Sequence, residues 1–187
     1  MRTTVRAARD IPQGEEITFS CTLLFSPLPA PVTSLGGTDK VLDFFPNARD
    51  FHFLPLAPRQ QAIRSRFSWT CSCPRCSAGS HADEGLELLL KQQQALESWT
   101  HTVTPHDALR LIRSYKQQGL DTFLYIPYRI AALVYNAVGD AEQARLYAEL
   151  SVEMVEFAGS DRDEGFEVCM DLLRDTRGHW SWRVFDE

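Results

Sequence analysis

Three things are scarce in this chain, and each scarcity excludes a class of protein. No run of about eighteen apolar residues occurs, and Met1-Arg-Thr-Thr is not followed by the apolar core of a secretory leader, so neither a membrane-spanning helix nor export is expected. Positive charge is short: 19 Lys and Arg stand against 25 Asp and Glu, a net charge of -6, which argues against general nucleic-acid binding because that depends on clustered cations. Cysteine is limited to five residues, an odd number with three of them in one short stretch, which argues against a disulfide framework and for a reducing compartment, cytosolic or nuclear. What remains is a soluble chain of one domain or two small ones.

The three clustered cysteines lie in Trp69-Thr-Cys71-Ser-Cys73-Pro-Arg-Cys76. Thiolates at this density, with Pro-Arg set for a tight turn, supply most of a tetrahedral zinc shell, so Cys71, Cys73 and Cys76 are the predicted metal ligands. A structural zinc site takes four ligands. His81, five residues on, and Cys21 are the two candidates for the fourth. Water in that position would resemble a catalytic site, but no neighbouring base is evident.

Thr3 to Ala7 and Ile17 to Leu23 are rich in β-branched and apolar residues, and the second alternates Ile17, Phe19, Cys21 and Leu23 against Thr18, Ser20 and Thr22. These read as strands joined by a turn at Asp10-Ile-Pro-Gln-Gly14, with Glu15 and Glu16 on opposite faces and not a catalytic pair. Residues 24–57 are proline-rich, with Gly36-Gly37 and several phenylalanines, and read as a surface insertion in which Phe51 to Leu56 packs. A helix is expected over 58–66.

From Ala82 the apolar residues recur at helical spacing. Leu86, Leu89 and Leu90 open one helix; Thr104-Pro105-His-Asp107 predicts a capping box before Ala108, Leu111, Ile112 and Tyr115. Pro127 is placed at the start of the next helix, with Ile130, Ala131, Val134, Tyr135 and Val138 as its stripe. Gly139 ends it, Asp140 caps its partner with Gln143 completing a second box, and Ala144, Ala148, Val152 and Val155 fit close pairing. A last helix spans 163–174, where Cys169 reads as core. His101, His106 and His179 are scattered and are not read as ligands, and Trp180 and Trp182 are expected to anchor the C-terminus by packing. A helix, Gly-Asp turn, helix pair resembles one tetratricopeptide-like unit, whose arrays present a face to peptides.

The segment Arg6-Ala-Ala-Arg9-Asp10-Ile11-Pro-Gln-Gly14-Glu15-Glu16-Ile17-Thr18-Phe19-Ser20 resembles the closing part of SET domains, and the Cys-x-Cys-x-x-Cys run after Trp69 resembles their post-SET zinc tail. The helical remainder looks like the C-terminal domain of the SET and MYND group, fungal type. The resemblance implies an α+β chain: a partial SET β-fold over residues 1–80, with the zinc tail at 67–76, then a tetratricopeptide-like domain over 81–187. It implies S-adenosylmethionine-dependent methylation of a lysine-bearing protein substrate, with Trp69 packing on the cofactor adenine. Two departures count against activity. Cys21 stands where the family has its catalytic tyrosine, and the first tyrosine of the chain is Tyr115. The residues before Asp10 include no Asn, His or Cys, so the family's Asn-His-x-Cys cofactor segment has no counterpart and Met1 falls in the middle of the SET fold. The expectation is an inactive relative, and the alternative is a non-catalytic zinc-binding and helical interaction module.

Overall fold

Apolar residues spaced three and four apart dominate the chain from Leu56 onward, and that period sets the architecture. The structure, a computed structural model, describes residues 53–100, 102–158 and 164–185. Every regular element among them is helical: α1 (Leu56–Phe67), α2 (Pro74–Ser77), α3 (Ser80–Glu97), α4 (Pro105–Gln117), a 3-10 turn (Asp121–Phe123), α5 (Tyr125–Ala137), α6 (Ala141–Ala158) and α7 (Glu164–Arg174). The α+β expectation, with a SET β-fold part, is therefore corrected: the described residues contain no strand and no sheet. Both segments read as strands, 3–7 and 17–23, lie outside the described residues. The physical reason is that the apolar residues of this part recur at helical spacing and bury their surface helix against helix. No helix among the described residues is long and apolar enough to cross a membrane.

The described residues fall into two compact units divided after Leu86, within α3. In the first, Ala62 and Ile63 of α1 form a small core with Cys71 and Cys76, and Leu54, Leu56 and Cys73 pack around it. The end of the proline-rich segment is thus part of this core, and α1 starts two residues earlier than expected. Its first N–H groups lack intrahelical partners, and one is satisfied from a distance: Leu56 N donates to Asp83 Oδ1 at 2.7 Å.

In the second unit α5 is the central helix, packed against α4, α6 and α7. Ala132 and Leu133 meet Ala144 and Ala148 of α6 and Cys169 and Leu172 of α7, all buried. Alanines at the crossing let the backbones approach closely. Tyr135 and Tyr147 stack across the same seam, ring centroids 5.4 Å apart.

The helix boundaries follow local chemistry. Thr104 and Asp107 form the expected box: Asp107 N donates to Thr104 Oγ1 at 3.3 Å and Thr104 N to Asp107 Oδ2 at 3.2 Å. Gly139, at φ +80°, ends α5 as predicted, with Gly139 N bonded to Asn136 O and Asp140 N to Tyr135 O. That last bond explains a correction. Asp140 Oδ1 accepts from Gln143 N at 3.1 Å and caps α6, but no return bond from Gln143 forms, because the Asp140 N–H is already committed to Tyr135. Pro127 is the third residue of α5 rather than its first, a first-turn position whose missing N–H costs nothing.

The C-terminal turn covers the end of α5. Arg183 N donates to Asn136 O at 3.0 Å and Phe185 N to Ala137 O at 3.1 Å, filling carbonyls that a helix end leaves open. Beneath them Asn136 Nδ2 donates to Ser181 Oγ at 2.8 Å, and that hydroxyl is 2.8 Å from His179 Nδ1, with all three residues buried. Trp180 is 60% exposed and touches Trp99 edge-on at 5.4 Å. The expected anchoring by tryptophan packing is thus chiefly a buried polar lock with aromatic contacts at its rim.

Candidate metal centre

A helix, a helical turn and one glutamine bring the three sulfurs together. Helix α1 ends at Ser68, whose positive φ of 58° turns the chain back, with Ser68 N bonded to Arg64 O at 2.9 Å. The returning strand of backbone is gripped by Gln60. Its Nε2 donates to Cys71 O at 2.7 Å and its Oε1 accepts from Cys71 N at 3.0 Å, so one side chain satisfies both main-chain groups of the first cysteine. After Cys73, the turn α2 begins on a proline, which has no N–H to leave unbonded at such a position. Ser77 closes it, N to Cys73 O and Oγ to Ser72 O, both at 2.9 Å.

The outcome is that the Sγ atoms of Cys71, Cys73 and Cys76 all lie within 4.8 Å of one another, with Cys71 and Cys76 buried and Cys73 half-buried. Around a tetrahedral zinc with bonds of about 2.3 Å, sulfurs stand roughly 3.8 Å apart. An inward shift of about an ångström by side chains on a short turn closes that difference, so the cluster could hold a metal ion. Oxygen-preferring cations are poor candidates, since three soft thiolates favour zinc and its chemical relatives.

Burial pushes the Cys76 thiol up from 9.0 to about 11; the Arg59 guanidinium beside it pulls the other way, and Cys73 adds to the rise. Without metal the thiol therefore holds its proton, and binding a cation must displace it.

The remaining sequence-predicted residues stay apart from this cluster. His81 is not the fourth ligand in this arrangement: its side chain is 86% exposed and faces Glu84, Nδ1 to Oε2 3.6 Å, because α3 has begun at Ser80 and directs it outward. Trp69 sits 42% exposed in the return segment. Cys21 lies outside the described residues. Cys169 is buried in the α5–α6–α7 core, as expected. Two residues not singled out in the sequence stand near the cysteines: Gln60, with its paired bonds to Cys71, and Arg59, 1% exposed, with Nη1 bonded to Leu54 O at 2.8 Å. Both sit in the polar and basic stretch Pro58-Arg-Gln-Gln, where nothing local in the sequence marks burial.

No family model, no curated protein and no solved structure matches this chain.

Proposed function

We propose that this chain is a non-catalytic, zinc-binding helical interaction module, in which zinc held by Cys71, Cys73 and Cys76 staples the return segment to α1 and the helical unit provides a surface for protein or peptide partners. The observation that carries this reading is the convergence of three sulfurs within 4.8 Å on a segment already clamped to α1 by Gln60. Bound zinc would act there as a cross-link, adding folding free energy to a small core that has few buried residues of its own. The residues around the sulfurs are suited to holding and not to turnover. The chain supplies a buried cation, an amide clamp and aliphatic neighbours, and among the described residues no carboxylate or imidazole joins the sulfur cluster to move a proton.

The likeness to the SET and MYND group supports zinc as the ion, since its post-SET tail carries the same cysteine spacing. It does not support methyl transfer by this chain, because Cys21 occupies the tyrosine position and a thiol on a short side chain does not reach where a phenol oxygen would act. A cytosolic or nuclear setting suits three reduced cysteines. The helical unit supports the interaction half of the reading: α5 and α6 form an antiparallel pair about a Gly-Asp turn, and Leu88, Leu146 and Trp180 are exposed apolar side chains on its surface.

Metal analysis of the purified chain tests this. One zinc per chain is expected, reduced to near zero in the Cys71→Ser, Cys76→Ser double variant, together with no transfer of label from S-adenosylmethionine to protein lysines. Metal-free protein that takes up no zinc on reconstitution would overturn the reading.

A further inference from the structure

A buried guanidinium sits on the helix that carries the cysteine core, with no carboxylate partner among the described residues. Arg59 is on the inner face of α1, one turn before Ala62 and Ile63, and is 1% exposed. Its Nη1 is bonded to a neutral carbonyl, Leu54 O, and Nε and Nη2 are buried with no nitrogen or oxygen partner. No carboxylate among the described residues pairs with it. Burying an unpaired cation is among the costliest arrangements a small core can contain, and a nearby anion relieves that cost. Leu54, whose carbonyl takes the Arg59 Nη1 bond, packs against the core that holds Cys71 and Cys76, which sets the guanidinium at the edge of the cysteine cluster. A thiol is a poor acceptor and carries no charge, whereas a thiolate is anionic and accepts readily.

We infer that Arg59 is the charge partner of a metal-bound trithiolate: three thiols release three protons to a divalent cation, the resulting centre carries one net negative charge, and the buried guanidinium neutralises it. This rests on the metal-centre reading above. A dication plus three thiolates is a monoanion, and Arg59 supplies a compensating positive charge from α1, beside that of Arg75 in the ligand turn itself. It also gives the two orphaned nitrogens an acceptor in the metal-bound state. Arg59 thereby acts through the sulfurs as a positioning residue and never touches the metal. Its planar fork and permanent charge suit that role, which a lysine would fill as a point charge only. Gln60, the next residue of α1, holds Cys71 through both of its main-chain groups and adds no charge, so the two neighbours separate electrostatic from structural support.

Cobalt(II) titration of the full chain tests this, read by its thiolate-to-metal charge-transfer band and by affinity. The wild type is expected to bind one cobalt. Arg59→Met should lose about 10- to 100-fold in affinity and move the band to lower energy, because the sulfurs become more electron-rich without the adjacent charge. Arg59→Lys should keep the band where it is. Gln60→Ala should weaken binding with the band unmoved. Arg59→Met binding as tightly as wild type with the same band would overturn the inference while leaving the metal centre standing; wild type that binds no cobalt would instead overturn the metal centre. If circular dichroism shows that Arg59→Met does not fold, Arg59→Lys decides: retained affinity supports charge compensation, and a loss as large as that of Gln60→Ala refutes it.

Discussion

Gln60 and Cys71 exchange two hydrogen bonds, 2.7 Å from the glutamine amide to the cysteine carbonyl and 3.0 Å from the cysteine N–H to the glutamine oxygen, so a side chain on α1 pairs with the return segment as another backbone would. Truncation leaves both main-chain groups of Cys71 unpaired in a part-buried position. Gln60→Ala should therefore destabilise the cysteine-bearing unit by about 1–3 kcal/mol. Chemical denaturation followed by tryptophan fluorescence, with Trp69 the local reporter, should show a lower midpoint. An unchanged midpoint would mean that the clamp contributes nothing.

Alkaline pH should loosen the metal-free chain and spare the metal-loaded one. The Cys76 thiol is raised from 9.0 to about 11, chiefly by burial, so the folded chain holds this proton more tightly than the unfolded chain. The stabilising contribution is complete below 9.0 and is lost as pH climbs from there through about 11. Denaturant midpoints of apo-protein should fall across that window. With metal bound the sulfurs carry no titrating proton, and the fall should disappear; on the acid side, proton competition should weaken metal binding instead.

Acid should loosen the C-terminal lock. His179 is held below its ordinary 6.5 by burial, with Asp171 pulling weakly the other way. A depressed base stabilises the fold above its unfolded value, and the contribution is lost as pH falls below 6.5 through the lower folded value. The ring of Trp180 is 5.2 Å from His179, so its emission should change along that titration. His179→Gln should abolish the change.

Asn136→Ala should remove the same lock at any pH. Its amide donates to Ser181 across 45 positions of sequence, wholly out of solvent, and its loss leaves the hydroxyl with His179 as its one remaining partner, at about 1 kcal/mol. Faster hydrogen exchange at Arg183 N and Phe185 N, which cap the carbonyls of Asn136 and Ala137, should accompany it. Exchange rates equal to wild type would show that the turn holds without the side chain.

Ala148→Leu should be tolerated poorly although leucine is a strong helix former. Ala148 is fully buried in the core where Ala132 and Leu133 of α5 meet α6. Three extra carbons there force the helices apart, a cost of about 1–3 kcal/mol. A thermal midpoint at or above wild type would show that the seam has spare room.

Legibility divided along the distance between partners. The Thr104–Asp107 box and the Gly139 terminus are separated from their partners by a few residues, and a reading of adjacent side chains finds them. Gly119 ends α4 by the same bonds as Gly139, with Leu120 N on Tyr115 O, and its signal was present in Gln-Gln-Gly just past the last periodic residue. Gln60 and Arg59 were hidden because polar residues on a helix read as solvent-facing unless one knows what returns to cover them. The expected second box at Asp140 failed for a related reason: one N–H cannot serve two acceptors, and which acceptor is in place is a matter of how the preceding helix ends.

Spacing in the chain determined by itself the helical period from Ala82 onward, the small residues at the α5–α6 seam, and the set of three cysteines, because six positions of backbone keep those sulfurs neighbours in almost any compact state. Tertiary structure alone decided that the described chain builds its cores from helices, that His81 turns away from the sulfurs, and that a buried guanidinium stands beside them. The physical reason is range: caps and clustered ligands are settled by a few consecutive dihedrals, whereas burial of a charge depends on which distant segment excludes water from it.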